Sequence, residues 1–249
     1  MSIFLALFLG IVQGLTEFLP VSSSGHLIMF QRFFGLPEDM LLFNIILHIA
    51  TLLAVVIVFR KKIWQLVRHP FNKTNLYLLI STAITCTLVI IFKDIIDRTF
   101  TYKILPFTFV LTAMILYATT FIKKNEGEVT GKTACIVGVA QFFAVVPGLS
   151  RSGTTISTML ATGTKRQAAA EFSFLMSIPI IVASFVYELM DVGTGATLHV
   201  APTIVAFIAA TISGIVAIKF MLKIIQNVKL HWFSLYLVVL AIVCMFVIY

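Results

Sequence analysis

Acidic side chains are scarce in this 249-residue chain, with ten Asp and Glu against eighteen Lys and Arg. Charged residues of both signs fill only 11% of positions, while 60% are hydrophobic and the mean hydropathy is +1.07. Soluble domains carry about a quarter of their residues as charges, so this composition excludes a water-soluble fold and leaves no room for a separate soluble domain. Cysteine is sparser still, with three residues. Cys86, Cys135 and Cys244 lie singly in apolar segments, without the spacing of a zinc site or a disulfide framework. No basic residue precedes Arg32, so the N-terminal apolar stretch lacks the positive n-region of a cleavable leader and is expected to belong to the mature fold.

What the chain has in abundance is long apolar segments. Six of them, at about 41–59, 76–92, 104–122, 172–190, 203–222 and 232–248, are long enough to cross about 30 Å of hydrocarbon as helices. Two more, at about 3–19 and 134–149, are cut short by Pro, Ser and Gly, and each is followed by a second short run, at about 27–34 and 156–163. That pattern predicts two re-entrant helical hairpins, whose turns must be buried in protein or line a wet cavity. The expected fold is therefore an all-α integral membrane protein with six transmembrane helices and two re-entrant hairpins. Each half, 1–123 and 131–249, is one hairpin followed by three spans. Three crossings reverse the chain, so the second half is expected to run upside down relative to the first, an inverted repeat.

The basic residues set an orientation. Thirteen of them, Arg60, Lys61, Lys62, Arg68, Lys73, Lys123, Lys124, Lys132, Lys165, Arg166, Lys219, Lys223 and Lys229, fall on one side. Four, Arg32, Lys93, Arg98 and Lys103, fall on the other. The bias puts the first group in the cytoplasm and both termini outside. The net charge of +8 is thus a topology signal, and no nucleic-acid partner is called for.

Both hairpins carry a polar island, and the islands repeat. Residues from Gln13 to Gly25 recur in degraded form 128 positions later: Gly10 matches Gly138, Gln13 matches Gln141, Ser22 matches Ser150, and Ser24-Gly25 matches Ser152-Gly153. Glu17 and His26 have no counterpart in the second copy, and Arg151 has none in the first. The two halves are therefore expected to donate different groups to one site. Gln13 and Glu17 share a helix face at i and i+4. Pro20 ends that helix, Ser22, Ser23, Ser24 and Gly25 form the turn, and Pro147-Gly148 breaks the second hairpin before Ser150, Arg151, Ser152 and Gly153. Two helix N-termini, several hydroxyls and one guanidinium make an anion receptor suited to phosphate. Glu17 and His26 add what an anion receptor does not need, since a carboxylate beside phosphate repels it unless a metal ion or a proton lies between them. Together these groups supply the parts of phosphoryl transfer. Asn44 and His48, i and i+4 in the first span, are expected to make interhelical hydrogen bonds, and Glu188 to snorkel or cap near the end of the fourth span.

The stretch Gln13-x-x-x-Glu17-Phe18-Leu19-Pro20-Val21-Ser22-Ser23-Ser24-Gly25-His26 resembles the first signature of the undecaprenyl-pyrophosphate phosphatases linked to bacitracin resistance. Pro147-Gly148-Leu149-Ser150-Arg151-Ser152-Gly153-Thr154-Thr155 resembles their second, and the likeness continues through Phe172-Ser173-Phe174-Leu175 and Ile178-Pro179. One departure is Gln13, where many members carry Glu. The resemblance implies removal of the terminal phosphate from undecaprenyl diphosphate in the bacterial plasma (inner) membrane, with Mg²⁺ or Ca²⁺, to recycle the carrier lipid for cell-wall synthesis. It implies catalytic roles for Glu17, Ser23, His26 and Arg151. Phosphate binding falls to Ser22, Ser24, Ser150, Arg151, Ser152 and Thr155, and metal binding to Glu17, with Gln13 a weaker candidate. Ser23, His26 and an activated water all stand as the nucleophile. Homo-oligomers are compatible with this reading, and the pocket is expected to open extracytoplasmically. The type-2 phosphatidic acid phosphatases are excluded: no Lys-x6-Arg-Pro exists, and Ser157 stands where that class has a His after its Ser-Arg pair. The inverted repeat also fits a polyprenyl-phosphate flippase, which is the competing expectation. An anion channel is disfavoured because Glu17 would sit in its pore.

Overall fold

The computed structural model describes the chain save residues 38, 39, 100, 124, 125, 192–198, 228, 229 and 249, and the side chains of 97 and 188–191. Lys124 and Lys229 of the charge count, and the Glu188 side chain, lie outside the described residues. Eleven α-helices carry the described chain: α1 Ile3–Phe18, α2 Ser23–Phe33, α3 Leu41–Arg68, α4 Lys73–Ile91, α5 Lys93–Thr99, α6 Leu105–Ala118, α7 Gly131–Phe143, α8 Arg151–Ala161, α9 Arg166–Asp191, α10 Val200–Ile224 and α11 His231–Ile248. Short 3-10 turns at Tyr102–Ile104 and Thr119–Phe121 flank α6.

Among the described residues, six segments are long and apolar enough to cross a membrane: Leu41–Arg68, Lys73–Ile91, Tyr102–Phe121, Arg166–Tyr187, Val200–Ile224 and His231–Ile248. They match the six expected from sequence. Two run further than hydropathy predicts. α3 continues through Arg60, Lys61 and Lys62 to Arg68, and α9 starts at Arg166, because Lys, Arg, Gln and Ala are good helix formers whatever their polarity. Phe4, Ile90, Phe107 and Phe246 all point outward, Phe246 being 85% exposed. Such a belt is an aggregation liability in water and the expected surface in lipid. The chain is a multi-pass membrane protein.

The elements pack in pairs that map onto one another when the halves are exchanged. α1 lies on α10 and α7 on α4; α3 packs on α10 and α9 on α4; α2 touches α11 and α8 touches α6; α3 meets α9 and α6 meets α11. The matched glycines make the first of these contacts possible. A Cβ on Gly10 would stand 2.4 Å from the Ala206 carbonyl oxygen of α10, and one on Gly138 would stand 2.7 Å from that of Ser81 on α4. Backbones this close exclude any side chain, and in lipid such packing replaces the hydrophobic drive as the source of helix association.

α7 ends at Phe143, several residues before the apolar run does. Val145, Val146 and Leu149 instead make tight-turn hydrogen bonds to Phe142, Phe143 and Val146. Pro147 has no N–H with which to continue the helix ladder, and the chain turns at Gly148, whose φ of +88° only glycine adopts freely. Its Cα lies so close to α6 that a Cβ would sit 1.9 Å from Thr108 Oγ1. Hydropathy cannot register a turn imposed by backbone conformation.

Candidate active site

Each hairpin delivers a capped helix N-terminus to one place. Ser22 caps α2 by accepting the Gly25 N–H at 3.3 Å, and Ser150 caps α8 by accepting the Gly153 N–H at 3.0 Å. The Ser150 N–H in turn donates to Thr112 Oγ1 of α6 at 3.2 Å. The two breaks touch: Ser152 Oγ donates to the Leu19 carbonyl at 3.0 Å. A cavity of about 200 Å³ lies there. Thr16, Glu17, Ser22, Ser23 and Ser24 line it from the first hairpin, and Gln141, Leu149, Ser150 and Arg151 from the second. Ile45 and His48 of α3, Thr85 of α4 and Ile180, Ile181, Ser184 and Phe185 of α9 complete the wall.

Glu17 is the centre of the polar network, with only 5% of its surface exposed. Its Oε1 pairs with Arg151 Nη2. Its Oε2 accepts from Ser23 Oγ at 2.5 Å and from Gln13 Nε2 at 3.0 Å, and His48 Nδ1 stands 3.5 Å away. A carboxylate this deep is tolerable only because a guanidinium and several donors face it. Arg151 has donors to spare, since a guanidinium carries five N–H bonds and only Nη2 is engaged with Glu17. The α2 and α8 N-termini add the positive ends of two helix dipoles. The cavity therefore sets the Glu17 carboxylate beside the Ser23 hydroxyl, within a ring of anion-binding groups.

The structure brings Glu17, Ser22, Ser23, Ser24, Ser150 and Arg151 to the cavity and leaves four expected residues out of its lining, among them Gln13, which is fully buried and bonds to Glu17. His26 faces away: its Nδ1 meets the Ser22 carbonyl at 2.6 Å and its Nε2 meets the Tyr236 hydroxyl at 2.7 Å. A carbonyl only accepts, so Nδ1 carries the proton and Nε2 takes the tyrosine hydrogen. The ring lies parallel to Tyr236, with Phe109 edge-on to it. Ser152 joins the two hairpins, and Thr155 Oγ1 lies 2.7 Å from Ser173 Oγ on α9, tying the hairpin to that span. Asn44 makes the interhelical bond expected of it, accepting from Gln31 Nε2 at 2.7 Å. His48 also makes an interhelical bond, its Nδ1 meeting Gln13 Nε2 of α1 at 3.2 Å, and it stands beside Glu17 as well. Thr16, Thr85, Ser184 and Gln141 were not expected at the site. Gln141 alone left a signal, as the repeat partner of Gln13.

Fold and site define a membrane-embedded phosphoryl-handling protein built from two broken-helix hairpins. The chain belongs to the family described as bacitracin resistance protein BacA, whose sequence pattern matches residues 6–243. Relatives named undecaprenyl-diphosphatase include one from Carboxydothermus hydrogenoformans, 43% identical over 97% of this chain and 96% of the relative. Another, from Treponema denticola, is 41% identical over 96% of this chain and 94% of its own. A third, from Christiangramia forsetii, is 38% identical over 95% and 94%.

Proposed function

We propose that this protein is an undecaprenyl-diphosphate phosphatase, releasing inorganic phosphate and undecaprenyl phosphate and so returning the carrier lipid to cell-wall synthesis. One observation carries the reading. A single buried carboxylate, Glu17, accepts the Ser23 hydroxyl on one oxygen and pairs with Arg151 on the other, in a cavity framed by two helix N-termini. A mere anion receptor gains nothing from a carboxylate, whereas phosphoryl transfer needs one group to take a proton and others to hold negative charge. The relatives' names support hydrolysis over flipping.

The residues act in this order. Terminal phosphoryl oxygens of the substrate take N–H donors from Arg151 and from the α2 and α8 N-termini. Ser23 Oγ attacks the terminal phosphorus while its proton passes to Glu17 Oε2. The Oγ–P bond forms, the bond from phosphorus to the bridging oxygen breaks, and its electron pair leaves with undecaprenyl phosphate. A water oxygen then displaces Oγ from phosphorus, Oγ regains the proton held by Glu17, and both water protons leave with inorganic phosphate. Ile45, Ile180, Ile181 and Phe185 give the cavity an apolar wall, suited to the first units of a polyprenyl chain. His26, Ser152 and Thr155 hold the hairpins in shape rather than touching substrate.

The cofactor in this reading is a divalent cation, Mg²⁺ or Ca²⁺. Among the described residues no group of three or more His, Cys, Asp or Glu is assembled. Glu17 offers a carboxylate, however, and Gln13, joined to it through Nε2, has a buried Oε1 with no hydrogen-bond partner. These two would hold the ion, which supplies neutralisation of diphosphate charge when bound.

Residues 1–123 and 131–249 are read as inverted repeats with re-entrant hairpins in the plasma membrane, a reading supported by packing that is symmetric under exchange of halves. The pocket is read as extracytoplasmic. His48, Thr85 and Ile180 lie 12, 12 and 14 residues from the basic ends at Arg60, Lys73 and Arg166, or about 18 Å or more along a helix. Purified protein in detergent, where no bilayer exists to be crossed, is expected to release phosphate from undecaprenyl diphosphate. Lipid translocation in vesicles without phosphate release in detergent would favour the flippase.

A further inference from the structure

We infer that His48 is a further substrate-contacting residue of this site, its Nε2–H donating as a neutral group to the phosphoryl group that Ser23 attacks. The inference rests on the phosphatase reading proposed above and adds to it a donor that neither hairpin supplies. His48 lies on α3 and lines the cavity, with about a third of its side chain open. Its Nδ1 stands 3.2 Å from Gln13 Nε2 and 3.5 Å from Glu17 Oε2, the oxygen that accepts from Ser23 Oγ at 2.5 Å. The imidazole and the attacking hydroxyl therefore flank one carboxylate oxygen.

The Gln13 amide fixes which ring nitrogen carries the proton. Glu17 is paired with Arg151, so its Oε2 is an ionised acceptor, and the Gln13 atom 3.0 Å from it must be the amide nitrogen. That nitrogen carries two hydrogens. One goes to Glu17 Oε2 and the other meets His48 Nδ1, which must present a lone pair. A neutral imidazole with a bare Nδ1 carries its hydrogen on Nε2.

Among the described residues nothing accepts from that N–H, and Nε2 is not shut away from solvent. Bare in hydrocarbon such a donor would be costly. Open to a wet cavity framed by anion-binding groups, it is a hydrogen bond waiting for an acceptor, and phosphoryl oxygens are acceptors. Thr85, which α4 brings to the same cavity, cannot serve in its place, because its hydroxyl hydrogen is engaged with the backbone carbonyls of Ser81 and Gly138.

The test uses purified full-length protein in detergent and substitutions that separate the two ring nitrogens. His48→Asn keeps an acceptor for Gln13 but is too short to replace Nε2. His48→Gln offers an acceptor and a donor at the spacing of the ring nitrogens, and His48→Leu offers neither. Loss of a donor to charged phosphate is expected to lower kcat/KM for undecaprenyl diphosphate about 10–10²-fold in His48→Leu and His48→Asn. Inhibition by inorganic phosphate should weaken by a similar factor, and His48→Gln should recover most of both. In wild type labelled with nitrogen-15 histidine, the imidazole signal missing from His48→Gln should mark an Nε2-protonated ring and shift on titration with inorganic phosphate. Full activity in His48→Asn, or kcat lowered with phosphate inhibition unchanged, would assign His48 to holding Gln13 and Glu17 and overturn its contact with phosphate. An Nε2–H signal that phosphate leaves unmoved would overturn it as well. Wild type that releases no phosphate from undecaprenyl diphosphate would instead remove the phosphatase reading, while the phosphate titration still decides whether His48 binds the anion.

Discussion

Replacing His26 by phenylalanine separates a positioning role from a chemical one. Phenylalanine keeps the ring against Tyr236 and Phe109 but removes both nitrogens, leaving the Ser22 carbonyl only the backbone N–H of residue 26, at 3.3 Å, and the Tyr236 hydroxyl without its ring partner. Ser22 is 3% exposed, so its carbonyl has little water to turn to, and the lost hydrogen bond costs about 0.5–1.5 kcal/mol. At about 2–4 °C per kcal/mol for a chain of this size, the melting temperature in detergent should fall by roughly 1–6 °C. The bond also holds Ser22 at φ +69° and ψ +98°, a conformation costing about 1–3 kcal/mol that persists only while its surroundings enforce it. Once it relaxes, Ser23 shifts relative to Glu17, and a displacement of about 1 Å is worth about 10²-fold in rate. The expected outcome is therefore a loss of about 10² in kcat with the shape of the pH profile retained. Tyr236→Phe, which removes one of the two bonds, should lose less in the same direction. Phosphate release across pH, with melting measured on the same samples, checks both. Loss of one limb of the pH profile in His26→Phe, with Tyr236→Phe silent, would refute the reasoning and return His26 to proton transfer.

Arg151→Ala should abolish measurable turnover, and Arg151→Lys should recover little of it, because a bidentate fork becomes a point charge; near-normal phosphate release by the lysine variant would remove the clamp from the mechanism. Gly14→Ala should fail to fold or melt far below wild type, since its Cβ would stand 2.0 Å from Ser213 Oγ and 2.3 Å from the Ala210 carbonyl oxygen; detergent-extracted yield and melting temperature report it. Cysteine placed at Ser24, with Cys86, Cys135 and Cys244 replaced, should react with a membrane-impermeant thiol reagent added outside intact cells. Labelling confined to inverted vesicles would show a pocket open to the cytoplasm.

The spans were legible because hydrocarbon tolerates so few residue types that hydropathy alone draws Lys73–Ile91 or Val200–Ile224 to within a few residues. The cavity groups Glu17, Ser23 and Arg151 were legible because a polar side chain in an apolar segment calls for a reason. What escaped was direction. Nothing in Ser24-Gly25-His26 says that the ring turns toward α11, because that depends on a tyrosine 210 positions away. His48 was visible as a polar residue on α3, but its facing Glu17 depends on how α3 packs beside α1, a tertiary fact with no local periodicity. The early end of α7 was hidden for a third reason, since Gly148 is chosen for its backbone and leaves no hydropathy signal.

The account stands on Ser23 giving its proton to Glu17 and its oxygen to phosphorus. The most direct measurement is kcat/KM of Ser23→Ala for undecaprenyl diphosphate, made on protein whose melting temperature matches wild type. Loss of the attacking oxygen should lower it by at least about 10³-fold, with the residual rate set by binding and charge stabilisation alone. Phosphate release within tenfold of wild type would contradict the account and assign the attack to another group.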